Sequence, residues 1–298
     1  MDRVRQGWLL GVCMLLLAGV AAADVISEEQ KSAVGQLNAM DEGQFKAMVK
    51  RAEKGDASAQ TLLGIAYLQG LKVAKDDTSA YEWFRRGANK RNNIAENNLG
   101  LLYFYGRGTH QNYTEAVRWF RKAGEDGSNN ARFNLGLMYH HGYGVPADID
   151  QAAKWYEVAA IQGDVTAQNS IAYLYESGNG VNQDLVQAEK WYQKAAEQGS
   201  AMAQYNLGVF YIGQSRHHEA FEWLLKAARQ GHKLAARNLA VLYLHGHCME
   251  VNYGEAYRWL AAAQQTDAWA TKAQATCREH LSNKDLEQLQ AMTKVGTP

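Results

Sequence analysis

The sequence predicts an all-α fold, a right-handed α-solenoid (superhelix) of stacked helix–turn–helix repeats closed by a C-terminal helical cap. Three observations predict it. Trp83, Trp119, Trp155, Trp191, Trp223 and Trp259 recur at separations of 36, 36, 36, 32 and 36 residues. Tyr67, Tyr103, Tyr139, Tyr175, Tyr211 and Tyr243 keep the same period, with the 32-residue step one place later. Between these columns run an Ala at 59, 95, 131, 167, 203 and 235 and a Leu-Gly pair or close variant four residues on. Self-similarity at a fixed period of 20–50 residues marks a repeat architecture, in which no unit buries its apolar stripe alone and stacking completes the core.

Residues 1–23 come first. Arg3 and Arg5 precede an apolar run from Gly7 to Val20 that closes on Ala21-Ala22-Ala23. A basic start, an apolar middle and an A-x-A end are the pattern of a secretory signal peptide cut before Asp24. The apolar run is short for a membrane span, so no stable membrane insertion is expected after cleavage, and the product should be periplasmic or secreted. Residues 24–55 are read as an N-terminal segment in which Gln44–Lys54 form a leading helix.

Six repeats follow over 56–265, at about 56–91, 92–127, 128–163, 164–199, 200–231 and 232–265. In each first helix Ala, Leu and Tyr stand four apart (59, 63, 67 in the first), which puts them on one face. The Gly after Leu leaves room for a neighbouring helix. Asp76, Asn112, Asp148, Asp184 and Asn252 suit the N-cap of the second helix, and Glu115, Gln151, Gln187 and Glu255 stand where a capping box needs its reciprocal partner. An Ala three residues before each Trp and a small residue four after it continue the packing stripe, so the Trp and Tyr columns are assigned to the repeat core. Gly55, Gly127, Gly163, Gly199 and Gly231 stop the second helices. Arg91 replaces that Gly in the first repeat, where a distorted joint is expected. The fifth repeat lacks four loop residues around Gly213–His218, which suggests a local change of twist. Residues 266–298 continue as C-terminal capping helices, with Ser282 and Asp285 placed for a capping box.

The unit A-x-Q-x-x-L-G-x-x-Y-x-x-G-x-G-V-x-x-D-x-x-x-A-x-x-W-Y-x-K-A-A-E-Q-G, almost unbroken in Ala167–Gly199, resembles the Sel1-like repeat, a relative of the tetratricopeptide repeat with a longer turn. The resemblance implies an exported bacterial solenoid that serves as a non-enzymatic interaction scaffold or adaptor of the envelope. It also implies a concave wall on the first helices, where Asn side chains grip extended peptides. In this chain that column holds Asn98, Asn134, Asn206 and Asn238, because an amide both donates and accepts. Tyr105, His141 and His245 stand seven residues further on, with Tyr173 on the apolar floor between. A second reading has the Asn amides bonding the neighbouring helix within the stack.

Composition narrows the function. With 31 Lys+Arg against 31 Asp+Glu, the formal net charge is zero; without Arg3, Arg5 and Asp2 the remaining chain has 29 basic and 30 acidic residues. Nucleic-acid binding by counterion release needs clustered positive charge and is not expected. No dinucleotide, phosphate-loop, nucleophile-elbow, H-E-x-x-H or C-x-x-C motif is present. Gly106-Arg107-Gly108 and Gly142-Tyr143-Gly144 recur with the period and are turns. No catalytic residue, cofactor or metal is therefore assigned. Two rival readings stand beside the scaffold: an envelope hydrolase or binder acting on peptidoglycan or β-lactams, and a periplasmic metal-binding protein using the loop His245–Met249. Cys248 and Cys277, the two cysteines beyond Cys13, would form a disulfide in an oxidising compartment.

Overall fold

The computed structural model describes residues 28–247, 250–263 and 268–294. Its helices are α1 (Glu28–Ala39), α2 (Glu42–Glu53), α3 (Ala57–Gln69), α4 (Asp77–Ala88), α5 (Asn93–Tyr105), α6 (Tyr113–Glu125), α7 (Asn129–His141) and α8 (Ile149–Ile161), then α9 (Val165–Ser177), α10 (Leu185–Glu197), α11 (Ala201–Gly213), α12 (His217–Arg229), α13 (Lys233–His245), α14 (Tyr253–Ala263), α15 (Ala268–Glu279) and α16 (Asn283–Lys294). No strand occurs among the described residues. The chain divides into two compact units, the first reaching Asp164 and including Asn179–Val181, the second holding Val165–Gly178 and everything from Asn182. In the first unit α3–α4, α5–α6 and α7–α8 pair as hairpins, and α2 on α3, α4 on α5 and α6 on α7 join them. In the second, α9–α10, α11–α12 and α13–α14 pair in the same way, while α15 and α16 cover α14.

The period acts through a few backbone and side-chain contacts. The N–H of Asp76, Asn112 and Asp148 donates to the carbonyl of Tyr67, Tyr103 and Tyr139 at 3.0, 2.9 and 2.9 Å, and the second unit repeats this from Asp184 to Tyr175 and from Asn252 to Tyr243. Each Tyr position thus closes the turn of its own hairpin. The caps form as expected on their backbone side: Asn112 and Asp148 accept from the N–H of Glu115 and Gln151 at 3.1 and 3.0 Å. The reciprocal half does not form at Glu115 and Glu255, whose carboxylates turn to Arg118 and Arg258 one turn on, at 2.8 and 2.6 Å. The N–H groups of Asn112 and Asn252 already donate to the Tyr103 and Tyr243 carbonyls, which leaves the carboxylates to pair with guanidinium. Complete boxes close instead at Asp41 with Gln44 and at Ser282 with Asp285.

The Trp column belongs to or packs against the core, but does not fill its deepest position. Trp119, Trp191 and Trp259 are buried, but Trp83, Trp155 and Trp223 are only half-buried. The deepest column is the next residue, Phe84, Phe120, Tyr156, Tyr192, Leu224 and Leu260, each no more than 2 % exposed. These side chains lie on the glycine of the Leu-Gly pair: a Cβ on Gly64, Gly100 or Gly136 would come within 2.6–2.8 Å of the ring of Phe84, Phe120 or Tyr156. The indoles border this contact and take a cation on one face, Arg86 over Trp83 at 4.5 Å, Lys194 over Trp191 at 4.5 Å and Lys226 over Trp223 at 3.7 Å. That i, i+3 cation–π pairing keeps the long basic side chain in water while its charge meets the ring. Of the Tyr column only Tyr211 is fully buried.

The expected distortion at Arg91 is absent. Arg91 adopts the left-handed conformation that Gly takes elsewhere (φ 61) and keeps the same stop, its N–H bonding the Ala88 carbonyl at 3.0 Å. Its guanidinium grips both Asp126 oxygens, at 2.5 and 3.2 Å. In the fifth repeat Ser215 takes the left-handed position (φ 59) and closes the shortened turn. Arg216 stands at the N-cap without capping it; it bonds Glu189 and Glu219 at 2.9 Å and stacks on Tyr211 at 4.3 Å. Cys277 is a fully buried thiol; Cys248, its expected partner in a bridge, lies outside the described residues. Burial pushes the Cys277 thiol up to about 11, keeping it protonated.

Candidate binding face

The first-helix face was the candidate groove, and its Asn column turns inward. Asn98 is 1 % exposed, donates to the Ile94 carbonyl of its own helix at 2.8 Å and accepts from Gln30 of α1 at 2.5 Å. Asn134 donates to Asn97 of the preceding repeat at 3.0 Å, and Asn206 to Asn169 at 3.3 Å. Asn238 is buried beside the Tyr205 hydroxyl. Asn134 and Asn206, both half-buried, are thus rungs between stacked helices, while the buried Asn238 Nδ2 has no hydrogen-bond partner; a buried amide group left without a partner costs ~1–3 kcal/mol. Asn134→Ala and Asn206→Ala should each lower stability by ~1 kcal/mol in urea unfolding. The sequence signal that separates a ladder rung from a ligand-facing amide is the Asn one position earlier in the preceding repeat, at 97 and 169.

The columns three and seven residues on stay accessible. In the first unit Leu101, Tyr105, Leu137 and His141 are half-buried; in the second, Tyr173, Val209 and Val241 are half-buried and His245 is exposed. The first rungs of the face are covered by the chain itself. Helix α1 lies on α3, packing Ala33 and Val34 into the core that includes Leu62, with Leu37 fully buried and Gln30 reaching Asn98. An open groove of about 690 Å³ remains between α1, α2 and α3, lined by Gln36, Met40, Arg51, Thr61 and Leu62 among others. Arg237, the one basic residue beside the ladder, stacks on Trp269 of the cap at 4.3 Å.

Two rings of α7 have lowered pKa values. Burial, reinforced by His141, takes His140 from 6.5 down to about 4, and burial also lowers His141. A depressed imidazole pKa means that the unfolded chain binds a proton the folded chain refuses. His140 therefore supports the fold fully above pH 6.5, and this support declines as the pH falls from there toward 4. Thermal midpoints should drop across that window, and His140→Phe should flatten the drop. Glu176, raised by burial and held by the Tyr192 hydroxyl at 2.9 Å, acts in the opposite sense.

Among the described residues no three His, Cys, Asp or Glu side chains are arranged to hold a metal ion. His217 stacks on His247 at 4.6 Å and His245 lies 5.4 Å from His247, while Met249 is outside the described residues, as are residues 1–23. No helix of the described residues is long and apolar enough to cross a membrane.

Comparison with known proteins agrees with this geometry. The Sel1 repeat model matches residues 57–92, 93–128, 129–164, 165–200, 201–232 and 233–263, each boundary one or two residues from that read in the period. A Sel1 repeat protein from Oxalobacter formigenes is 33% identical, with a TM-score of 0.63 over 70% of this chain and 88% of its own. A protective antigen present in uropathogenic Escherichia coli strains is 28% identical, with a TM-score of 0.66 over 83% of this chain. This chain spans 62% of that antigen's length. The Cut9–Hcn1 hetero-tetramer of the APC/C shares the fold at 16% identity and a TM-score of 0.52. None of the curated proteins compared matches the chain. With six matched repeats over most of its length, the chain belongs to the Sel1 repeat family.

Proposed function

We propose that this protein is a non-catalytic interaction scaffold, exported to the periplasm or beyond, which binds a protein or peptide partner on the first-helix face. One observation carries the reading. Apolar and aromatic side chains at 101, 105, 137 and 141 stay partly exposed on a helical face whose neighbouring rungs already hold a helix, α1, through an apolar anchor and a hydrogen bond from the Gln30 amide to Asn98. A face that binds one amphipathic segment has the chemistry to bind another. The family fold, commonly an interaction scaffold, supports the same reading, as do the missing nucleophile and phosphate-loop motifs. The partner side chains in this proposal are Leu101, Tyr105, Leu137 and His141 of the first unit; Tyr173 and His245 hold the corresponding columns within the second.

A photo-crosslinking residue at Leu137 tests the face, with exposed Lys154 on α8 as the control position. Specific adducts from 137 that disappear in the Leu101→Asp variant, with none from 154, are expected. Equal adducts from both positions would remove the assignment of the face. Amino-terminal sequencing of the native protein should begin at Asp24.

A further inference from the structure

The loop ends of the second and third repeats, both in the first unit, carry six aromatic rings in one connected cluster. Phe104 lies 4.9 Å from Tyr105, 5.2 Å from Tyr113 and 5.6 Å from Tyr143. Tyr113 stacks on Tyr143 at 5.1 Å, His141 is 5.5 Å from Tyr143, and His140 is 4.7 Å from His141. The rings come from three places: the end of α5, the start of α6, and the end of α7 with its loop. Tyr143 is 37 % exposed and the others are half-buried. Tyr105 and His141 stand one turn on from Leu101 and Leu137 on the same helices.

The polar groups of this rim are phenols and imidazoles. The Gln111 amide donates to the Phe104 carbonyl at 2.9 Å and to the Tyr113 hydroxyl at 3.0 Å, so that hydroxyl has its own hydrogen to give outward. Arg107, two residues after Tyr105, is held by both Asp77 oxygens at 2.7 and 2.9 Å. None of the six side chains is a carboxylate, and burial lowers the pKa of both imidazoles. What it offers is ring faces with hydroxyl donors. Sugar hydroxyls bind most strongly through charge-assisted bonds to carboxylates, and none of the six side chains supplies one. A polyproline II segment is complementary: its pyrrolidine rings pack on aromatic faces, its carbonyls accept, and proline has no N–H to satisfy.

We infer that this aromatic rim is a docking site for a proline-rich, extended segment of a partner protein. The inference names the chemistry of the partner in the scaffold reading and rests on it. A fluorescein-labelled decaproline titrated into the protein tests it by anisotropy, with a Gly-Ser peptide of equal length and cellohexaose as rival probes. Saturable decaproline binding is expected, weakened at least tenfold by Tyr143→Ala and several-fold by Tyr113→Phe, with the thermal midpoint unchanged in the latter. Absence of decaproline binding, or binding indifferent to both variants, overturns the inference. Cellohexaose binding lost in Tyr143→Ala without decaproline binding overturns it in favour of a carbohydrate site. If decaproline fails while the Leu137 adducts persist, the scaffold reading stands and only the proline-rich partner falls.

Discussion

Phe120→Ala is expected to lower stability by ~3–5 kcal/mol, the range for emptying a fully buried aromatic site, whereas Trp155→Ala should cost about half as much because that indole is half-buried. The difference follows from what each ring touches. Phe120 lies against Gly100 so closely that a Cβ there would stand 2.6 Å from the ring, and backbone atoms on a helix cannot collapse into the space a deleted phenyl leaves. Trp155 borders the same contact in its own repeat, where Tyr156 fills the centre, and water can reoccupy its exposed edge. Urea unfolding followed by circular dichroism measures both, with the transition of the first unit as the readout. A larger loss for Trp155→Ala than for Phe120→Ala would return the Trp column to the centre of the core.

Gly108→Val should destabilise by ~2–5 kcal/mol, made of ~1–2 for a branched side chain at positive φ and ~1–3 for overpacking. Gly108 has φ +66, and a Cβ there would meet the Asp77 carbonyl oxygen at 2.0 Å. The contact lies between repeats: the loop of the second presses on the first turn of α4 in the first, where Arg107 also holds Asp77. Backbone cannot swing aside as a flexible side chain would, so the loop must lift and the ion pair with it. Gly163→Ala separates the two contributions, since Gly163 has φ +95 and nothing within 4 Å of a Cβ; only the conformational part, ~1–2 kcal/mol, is expected there. Differential scanning calorimetry of the two variants should show the larger shift for Gly108→Val.

Much of the architecture was legible in the period. A 36-residue recurrence of Ala, Leu-Gly, Tyr and Trp requires the same hairpin each time, and the caps, the glycine stops and the capping box at Ser282 are local chemistry readable from neighbours in sequence. The candidate groove was harder. Asn134 and Asn206 stand at the expected positions, but whether an amide faces a ligand or the next helix depends on Asn97 and Asn169, 37 residues earlier. The covering of the first rungs by α1 depends likewise on Gln30 meeting Asn98 across 68 residues, and a weakly patterned leading helix carried no periodic signal for it.

The sequence by itself determined the number of repeats, the identity of the helices and the turns between them, because these follow from spacing, capping and backbone preference within a few residues. Only the tertiary structure decided which side chain fills each joint. It set Phe120 on Gly100 with Trp119 beside it, drew the Asn column into the stack, and left rings at the loop ends of the first unit accessible. The reason is geometric: side chains one residue apart on a helix point about 100° apart, so the choice between core and rim is made by the neighbouring helix that arrives.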